Sequence, residues 1–134
     1  VIATIQAIRK LGIKVSLKKN ICKIYGKGID GYQYKRNIKI NAKNSGTLGR
    51  LILGLIINTS YPIKLTGDKS LSKRDFKRVI EPLQKFGAKF KSNFGKLPVT
   101  IIGTNKPKPI RYLENICLSW FRLFSITPSV SRGL

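Results

Sequence analysis

Apolar residues recur along this chain with two different periods, and they divide it into helices and strands. Ile2, Ile5, Ile8 and Leu11 follow a helical spacing with Gly12 as a stop, so residues 1–11 are predicted to form an amphipathic helix. Residues 13–17 and 21–25 read as short strands, joined as a hairpin by Lys18-Lys19-Asn20. Gly26, Gly28 and Gly31 mark a loop, residues 32–37 carry no clear period, and residues 38–42 read as a strand. A turn at Asn44-Ser45-Gly46-Thr47 opens a helix over residues 47–58. Its expected buried stripe is Leu51, Ile52, Leu55 and Ile56, broadened by Leu48, Leu53 and Ile57. Gly49 and Gly54 each cost that helix about 1 kcal/mol against alanine, and they permit close packing or close approach of a ligand.

Residues 62–66 read as the next strand. Ser72-Lys73-Arg74-Asp75 matches a capping box, with Asp in place of Glu. The helix predicted after it places Phe76, Val79, Ile80, Leu83 and Phe86 on one face and Arg74, Arg78 and Lys85 on the other. Pro82 is expected to bend this helix and Gly87 to end it. Residues 89–91 and 99–102 read as strands, the second entered through Pro98, and Pro107 and Pro109 break the chain before residues 110–113. Residues 13–103 thus alternate strands and helices, which predicts an α/β (α+β) sheet with mixed strand directions. The turns at 44–47 and 67–73 both follow strands, and in such folds ligands gather where strands end.

Composition narrows the chemistry. The 134 residues suffice for one domain, and the 42% hydrophobic content is enough for a core. The longest apolar run, residues 51–57, is far too short to cross a bilayer, so no membrane partner is expected. A net charge of +22 suggests affinity for nucleic acid. However, the 19 lysines and 8 arginines are scattered, and the chain is rich in Ile, Asn and Lys throughout, so no specific nucleic-acid partner is expected. Histidine is absent and the two cysteines lie far apart, which excludes zinc sites of the usual spacing and His-based triads within this stretch. Cys22, in an apolar run, is expected to be a buried structural thiol, and two lone cysteines suit a reducing cytoplasm. The first helix starts at Val1 without a capping residue, and methionine is absent, so the chain reads as an internal fragment.

The two turns carry the candidate chemistry. Gly46 lets the backbone approach a ligand, Thr47 offers a hydroxyl and a helix-terminal N–H, and Asn44 can cap the helix or bind the ligand. An ordinary capped helix accounts for the same residues. Arg74 offers a planar fork of donors suited to carboxylate or phosphate, although a lone arginine on a helix is usually only solvated. The carboxylates are Asp30, Asp68, Asp75, Glu81 and Glu114; they form no evident acid–base pair, so no catalytic residue and no cofactor is assigned.

Several motifs in series resemble the 5-enolpyruvylshikimate-3-phosphate (EPSP) synthase family. They are Asn44-Ser45-Gly46-Thr47 with Arg50, Leu65-Thr66-Gly67-Asp68, Lys73-Arg74, Ile80-Glu81-Pro82-Leu83 with Gly87-Ala88, and Leu97-Pro98-Val99-Thr100-Ile101-Ile102-Gly103. The resemblance covers residues 1–114. It implies an incomplete piece of the enolpyruvyl transferase inside-out barrel, built from repeated βαβαββ units. It also implies transfer of the enolpyruvyl group of phosphoenolpyruvate to the 5-hydroxyl of shikimate 3-phosphate, releasing phosphate, without metal, in aromatic amino acid biosynthesis. The implied partners are those two small molecules, and the full-length enzyme is implied to be a cytoplasmic monomer. Gly46 and Arg74 are implied to bind phosphoenolpyruvate, with Asn44 and Thr47 lining the same site, and Arg50 matches a motif arginine of structural role.

The departures shape a second set of expectations. The family's early substrate-binding residues would precede Val1, and its acid and base would follow Leu134, so the chain alone is expected to be inactive. Residues 115–134 lack the family's Ser-Ala-Gln or Ser-Ser-Gln signature and read as an aberrant tail, distinct from the domain at 1–114. The rival readings are the related transferase acting on UDP-N-acetylglucosamine, which uses a loop cysteine unlike Cys22 or Cys117, and a basic nucleic-acid-binding protein.

Overall fold

The computed structural model describes residues 1–19, 21–28, 31–32 and 36–111. Helix α1 (Ile2–Lys10) leads into a hairpin of β1 (Lys14–Lys18) and β2 (Ile21–Tyr25). Then follow β3 (Ile38–Asn41), α2 (Gly46–Leu55), β4 (Ile63–Thr66), α3 (Lys69–Ser72), α4 (Lys77–Phe86), β5 (Lys89–Asn93) and β6 (Lys96–Ile102). The hairpin is a sheet of its own, and the other four strands form a second sheet in the order β3-β4-β6-β5. Strands β3 and β4 are parallel, and the remaining pairs are antiparallel. The mixed α/β sheet expected from the chain is present, as two open sheets among the described residues.

One face of the larger sheet is buried. Leu65 pairs with Val99 and Ile63 with Ile101, and all four are fully buried together with Ile40. Helices α2, α3 and α4 and their cap residues cover this face with Ile52, Leu53, Ile56, Leu71, Phe76 and Leu83, while α1 and its C-cap add Ala7 and Leu11. Ile5 instead joins a smaller cluster with Ile13, just before the hairpin, and Val15 of β1. The opposite face is polar: Lys39 lies opposite Lys64, Lys64 opposite Thr100, and Thr100 opposite Lys91.

Several expectations need correction. Helix α2 spans Gly46–Leu55 rather than 47–58, and Leu51 and Leu55 are exposed. At about 100° per residue, Gly49, Ile52, Leu53 and Ile56 form one stripe, and Leu51 and Leu55 fall behind it. Gly49 sets this rotation, because a Cβ there would stand 3.2 Å from Cε1 of Phe76; Gly54 faces open space. Cys22 is exposed, not buried. Among the described residues, strand β2 has only β1 as a neighbour and is exposed along its whole length, so the apolar run around Cys22 enters no core there.

The capping box at Ser72–Asp75 does not form. Asp68 caps the single-turn α3, Ser72 is the last residue of that turn, and α4 starts only at Lys77. Arg74 therefore lies between two helices rather than on a helix face. Helix α4 ends at Gly87, with φ 119°, as its sequence predicts. Strand β6 starts before Pro98 rather than after it, and Pro98 sits near a register shift in the β5–β6 pairing, where its missing N–H costs little. The two-residue turn Phe94-Gly95 closes these strands with both φ values positive, 49° and 75°, the signature of a tight hairpin; it went unread in the sequence. No helix among the described residues is long and apolar enough to cross a membrane. The expectation of an aberrant tail over 115–134 lies outside the described residues.

Candidate functional site

Parallel pairing makes β3 and β4 leave the sheet at the same end, and hydrogen bonds keep their exits together. The Ala42 N–H donates to the Thr66 carbonyl at 2.8 Å, and the Asp68 N–H donates to the Lys43 carbonyl at 3.0 Å. The two turns singled out by the sequence are therefore neighbours in space.

The first turn is capped by Ser45, not Asn44: Ser45 Oγ accepts from the Leu48 N–H at 3.2 Å. Ser45 holds the extended backbone a cap requires, while Asn44 is exposed in the turn before it. Gly46 and Thr47 are then the first two residues of α2, so their N–H groups have no acceptor within the helix and stand at its positive end. Thr47 is exposed and Gly46 is buried.

The second turn is built around Leu71. Asp68 Oδ1 accepts from the Leu71 N–H at 2.7 Å, which fixes α3 and drives the Leu71 side chain inward, where it is fully buried. There it wedges between the turns. A Cβ on Gly46 would stand 3.7 Å from Leu71 Cδ1, one on Gly49 3.7 Å from Cδ2, and one on Gly67 only 2.7 Å from Cδ2. Gly67 has no room for a side chain, because Leu97 Cδ1 would also lie 2.9 Å away.

Past Leu71, the chain runs through Lys73-Arg74-Asp75 to α4. The Arg74 N–H donates to the Leu71 carbonyl at 3.1 Å, the Phe76 N–H to the Gly95 carbonyl at 2.9 Å, and the Lys77 N–H to Asp75 Oδ1 at 2.7 Å. From this held backbone the Arg74 side chain reaches to the first turn. A Cβ built on Gly46 would lie 3.0 Å from Arg74 Nη1 and 3.3 Å from Arg50 Nη1. Arg50 sits one helical turn beyond Gly46, half-buried, with its guanidinium 5.5 Å above the centre of the Phe76 ring.

The structure therefore brings Gly46 and Arg74 together, sets Thr47 beside them at the start of α2, and leaves Asn44 exposed in the preceding turn. It adds two residues that sequence reasoning did not place at the site. Arg50 was legible as the i+4 neighbour of Gly46, on the same side of α2. Leu71 gave no signal beyond being apolar. What results is a pair of helix-terminal amides with two guanidinium ends nearby, groups whose chemistry suits an oxyanion. Asp68 and Asp75 accept backbone N–H groups, and Glu81 is exposed on α4, so no acid–base pair faces the turns among the described residues. No group of three His, Cys, Asp or Glu among the described residues could hold a metal ion.

Comparison with known proteins identifies the family. Residues 1–116 match the family model of EPSP synthase (3-phosphoshikimate 1-carboxyvinyltransferase). Over 112 residues the chain is 40% identical to the 3-phosphoshikimate 1-carboxyvinyltransferase of Vesicomyosocius okutanii subsp. Calyptogena okutanii, covering 84% of this chain and 26% of that protein. It is also 40% identical over 111 residues to the enzyme of that name from Ruthia magnifica subsp. Calyptogena magnifica, covering 83% and 25%. A solved EPSP synthase from Acinetobacter baumannii superposes with a TM-score of 0.74 at 35% identity, covering 83% of this chain and 25% of that structure. The chain thus spans about a quarter of the length of these relatives. With a family-model match over residues 1–116 and this likeness to a solved member, the chain belongs to the EPSP synthase family.

Proposed function

We propose that the protein containing this segment transfers the enolpyruvyl group of phosphoenolpyruvate to the 5-hydroxyl of shikimate 3-phosphate, releasing phosphate. We further propose that Gly46, Arg74, Thr47 and Asn44 form part of its phosphoenolpyruvate site. The observation that carries this reading is the approach of Arg74 Nη1 to within 3.0 Å of the Cβ position of Gly46, across 28 residues of chain. Phosphoenolpyruvate presents a phosphate and a carboxylate. Near a surface, one guanidinium about 4 Å from a unit negative charge contributes about 4 kcal/mol of attraction, enough to govern binding of a small anion. The Gly46 and Thr47 amides add donors that need no side-chain ordering.

The acid and base of the reaction belong to other parts of the longer protein, and so do most groups that hold shikimate 3-phosphate. Residues 1–114 are read as part of one domain, and residues 115–134 as a tail foreign to it. The whole enzyme is read as a cytoplasmic monomer without a nucleic-acid or membrane partner. In the full-length enzyme, Arg74→Ala is expected to weaken phosphoenolpyruvate binding at least about tenfold, the loss of a charged hydrogen-bond donor. Unchanged affinity in a binding titration removes Arg74 from the site. The chain of residues 1–134 alone is expected to give no enolpyruvyl transfer in a coupled phosphate-release assay, and measurable turnover would overturn the placement of the acid and base elsewhere.

A further inference from the structure

We propose that the outer face of the four-stranded sheet, opposite the helices, is a docking surface for linear inorganic polyphosphate. The first observation is a row that crosses the whole sheet in register. Lys39 on β3 lies opposite Lys64 on β4, Lys64 opposite Thr100 on β6, and Thr100 opposite Lys91 on β5. With neighbouring strands about 4.8 Å apart, the row is about 14 Å wide. Lys89 and Lys96 share its face, because each stands an even number of residues from Lys91 or Thr100 along its own strand. All five lysines are exposed. Lys10 Nζ donates to the Lys39 carbonyl at 2.7 Å and so adds a further ammonium at the β3 edge.

The second observation is that β3, β4, β5 and β6 contain no Asp or Glu, while Asp68, Asp75 and Glu81 belong to the turns and helices. Positive potential on this face is therefore not cancelled locally. Third, lysines on the edge strands β3 and β5 deter stray strand pairing, but Lys64 lies on an interior strand and needs another account. Placed directly opposite Lys39, it costs the sheet stability, and a polyanion laid across the row turns that repulsion into attraction. Fourth, the residues of the face select among polyanions. Its cations are all lysines, point charges that suit phosphate and lack the planar fork that matches carboxylates. It offers no ring for a nucleobase to stack on: Phe90, the one aromatic of these four strands, pairs with the buried Ile101 and packs against the core. A flexible chain of phosphates without bases fits this surface.

The test is a titration of the isotope-labelled full chain with linear polyphosphate at constant ionic strength, read by nuclear magnetic resonance. Parallel arms use orthophosphate at equal phosphorus, single-stranded poly(dT) and poly-glutamate. The backbone amides of Lys39, Lys64, Lys91 and Thr100 are expected to move together with one Kd for polyphosphate and to stay still with orthophosphate. Binding should weaken with salt by about 0.7 logarithmic units per tenfold salt for each lysine engaged, a slope of about −3 for this face. The same relation gives about fourfold in Kd per lysine near 0.15 M salt. Replacing Lys39, Lys64 and Lys91 together by Gln should therefore raise Kd about fiftyfold. An equal-charge control with Lys18, Lys23 and Lys69 replaced by Gln, on the hairpin and α3, should change it less than about fivefold.

Equal losses in the two triple variants would mean that net charge alone attracts the polyanion, and the docking surface falls. It falls too if the four sheet amides do not respond to polyphosphate. Poly(dT) or poly-glutamate binding this face as tightly as polyphosphate, at equal charge, overturns the choice of partner. Should the triple variant of the face fail to fold, the amide shifts of the unsubstituted chain decide. None of these outcomes bears on Gly46 and Arg74, which serve a different ligand.

Discussion

The β1–β2 hairpin and the four-stranded sheet are made of similar residues and end up differently. Strand β2 carries Ile21, Ile24 and Tyr25 and is exposed at every position. Strand β4 carries Ile63 and Leu65, and β6 carries Val99 and Ile101, all fully buried. Composition and β propensity do not separate these strands. What separates them is the layer above: three helices cover one face of the larger sheet, whereas among the described residues the hairpin shares only a small cluster, in which Ile13 and Val15 meet Ile5 and Ile8 of α1 and Tyr32. An apolar run states what a strand can bury, and the neighbouring elements decide what it does bury.

Truncations should reproduce this contrast. Leu71→Ala removes the wedge between the turns and is expected to cost about 2–5 kcal/mol of unfolding free energy, as for other buried leucines. Ile24→Ala on the hairpin, at 55% exposure, is expected to change it by less than about 0.5 kcal/mol. Equal effects in chemical denaturation would erase the distinction between the two regions. Overpacking gives a smaller effect: Gly67→Ala places a methyl 2.7 Å from Leu71 Cδ2 and should cost about 1–3 kcal/mol by the same measurement. The smallest effect is expected on the outer face of the sheet, where Lys39 and Lys64 are directly opposite each other. Lys64→Glu replaces a like-charged cross-strand pair by an opposite one and should stabilise by about 0.5 kcal/mol, less at high salt.

Much of the fold was legible because its signals are local. The β1–β2 hairpin, the stop at Gly87 and the alternation in β4 each follow from a few adjacent residues. The errors arose where a local signal competed with a distant contact. Ser72–Asp75 has the composition of a capping box, but Asp68 captures the Leu71 N–H first and starts a turn four residues earlier. The stripe on α2 depends on Phe76, which presses on Gly49 from another helix. Cys22 looked buried because its neighbours are apolar, and nothing within five residues reveals that its strand lies at the edge of a two-stranded sheet. At the candidate site, Gly46 and Arg74 were legible through the serial motifs. Arg50 and Leu71 needed the packing of α3 against the start of α2 to acquire a role.

The link that carries Arg74 is pinned from both sides. Leu71 anchors its entry, and the tip of the β5–β6 hairpin holds its departure through the Gly95 carbonyl. With so short a tether fastened at each end, the main chain has little slack. Accommodation to different guests must come from side-chain torsions, so the arginine can swivel but its root cannot travel. Lengthening the tether by one residue would misaim the guanidinium without disturbing the core that surrounds it.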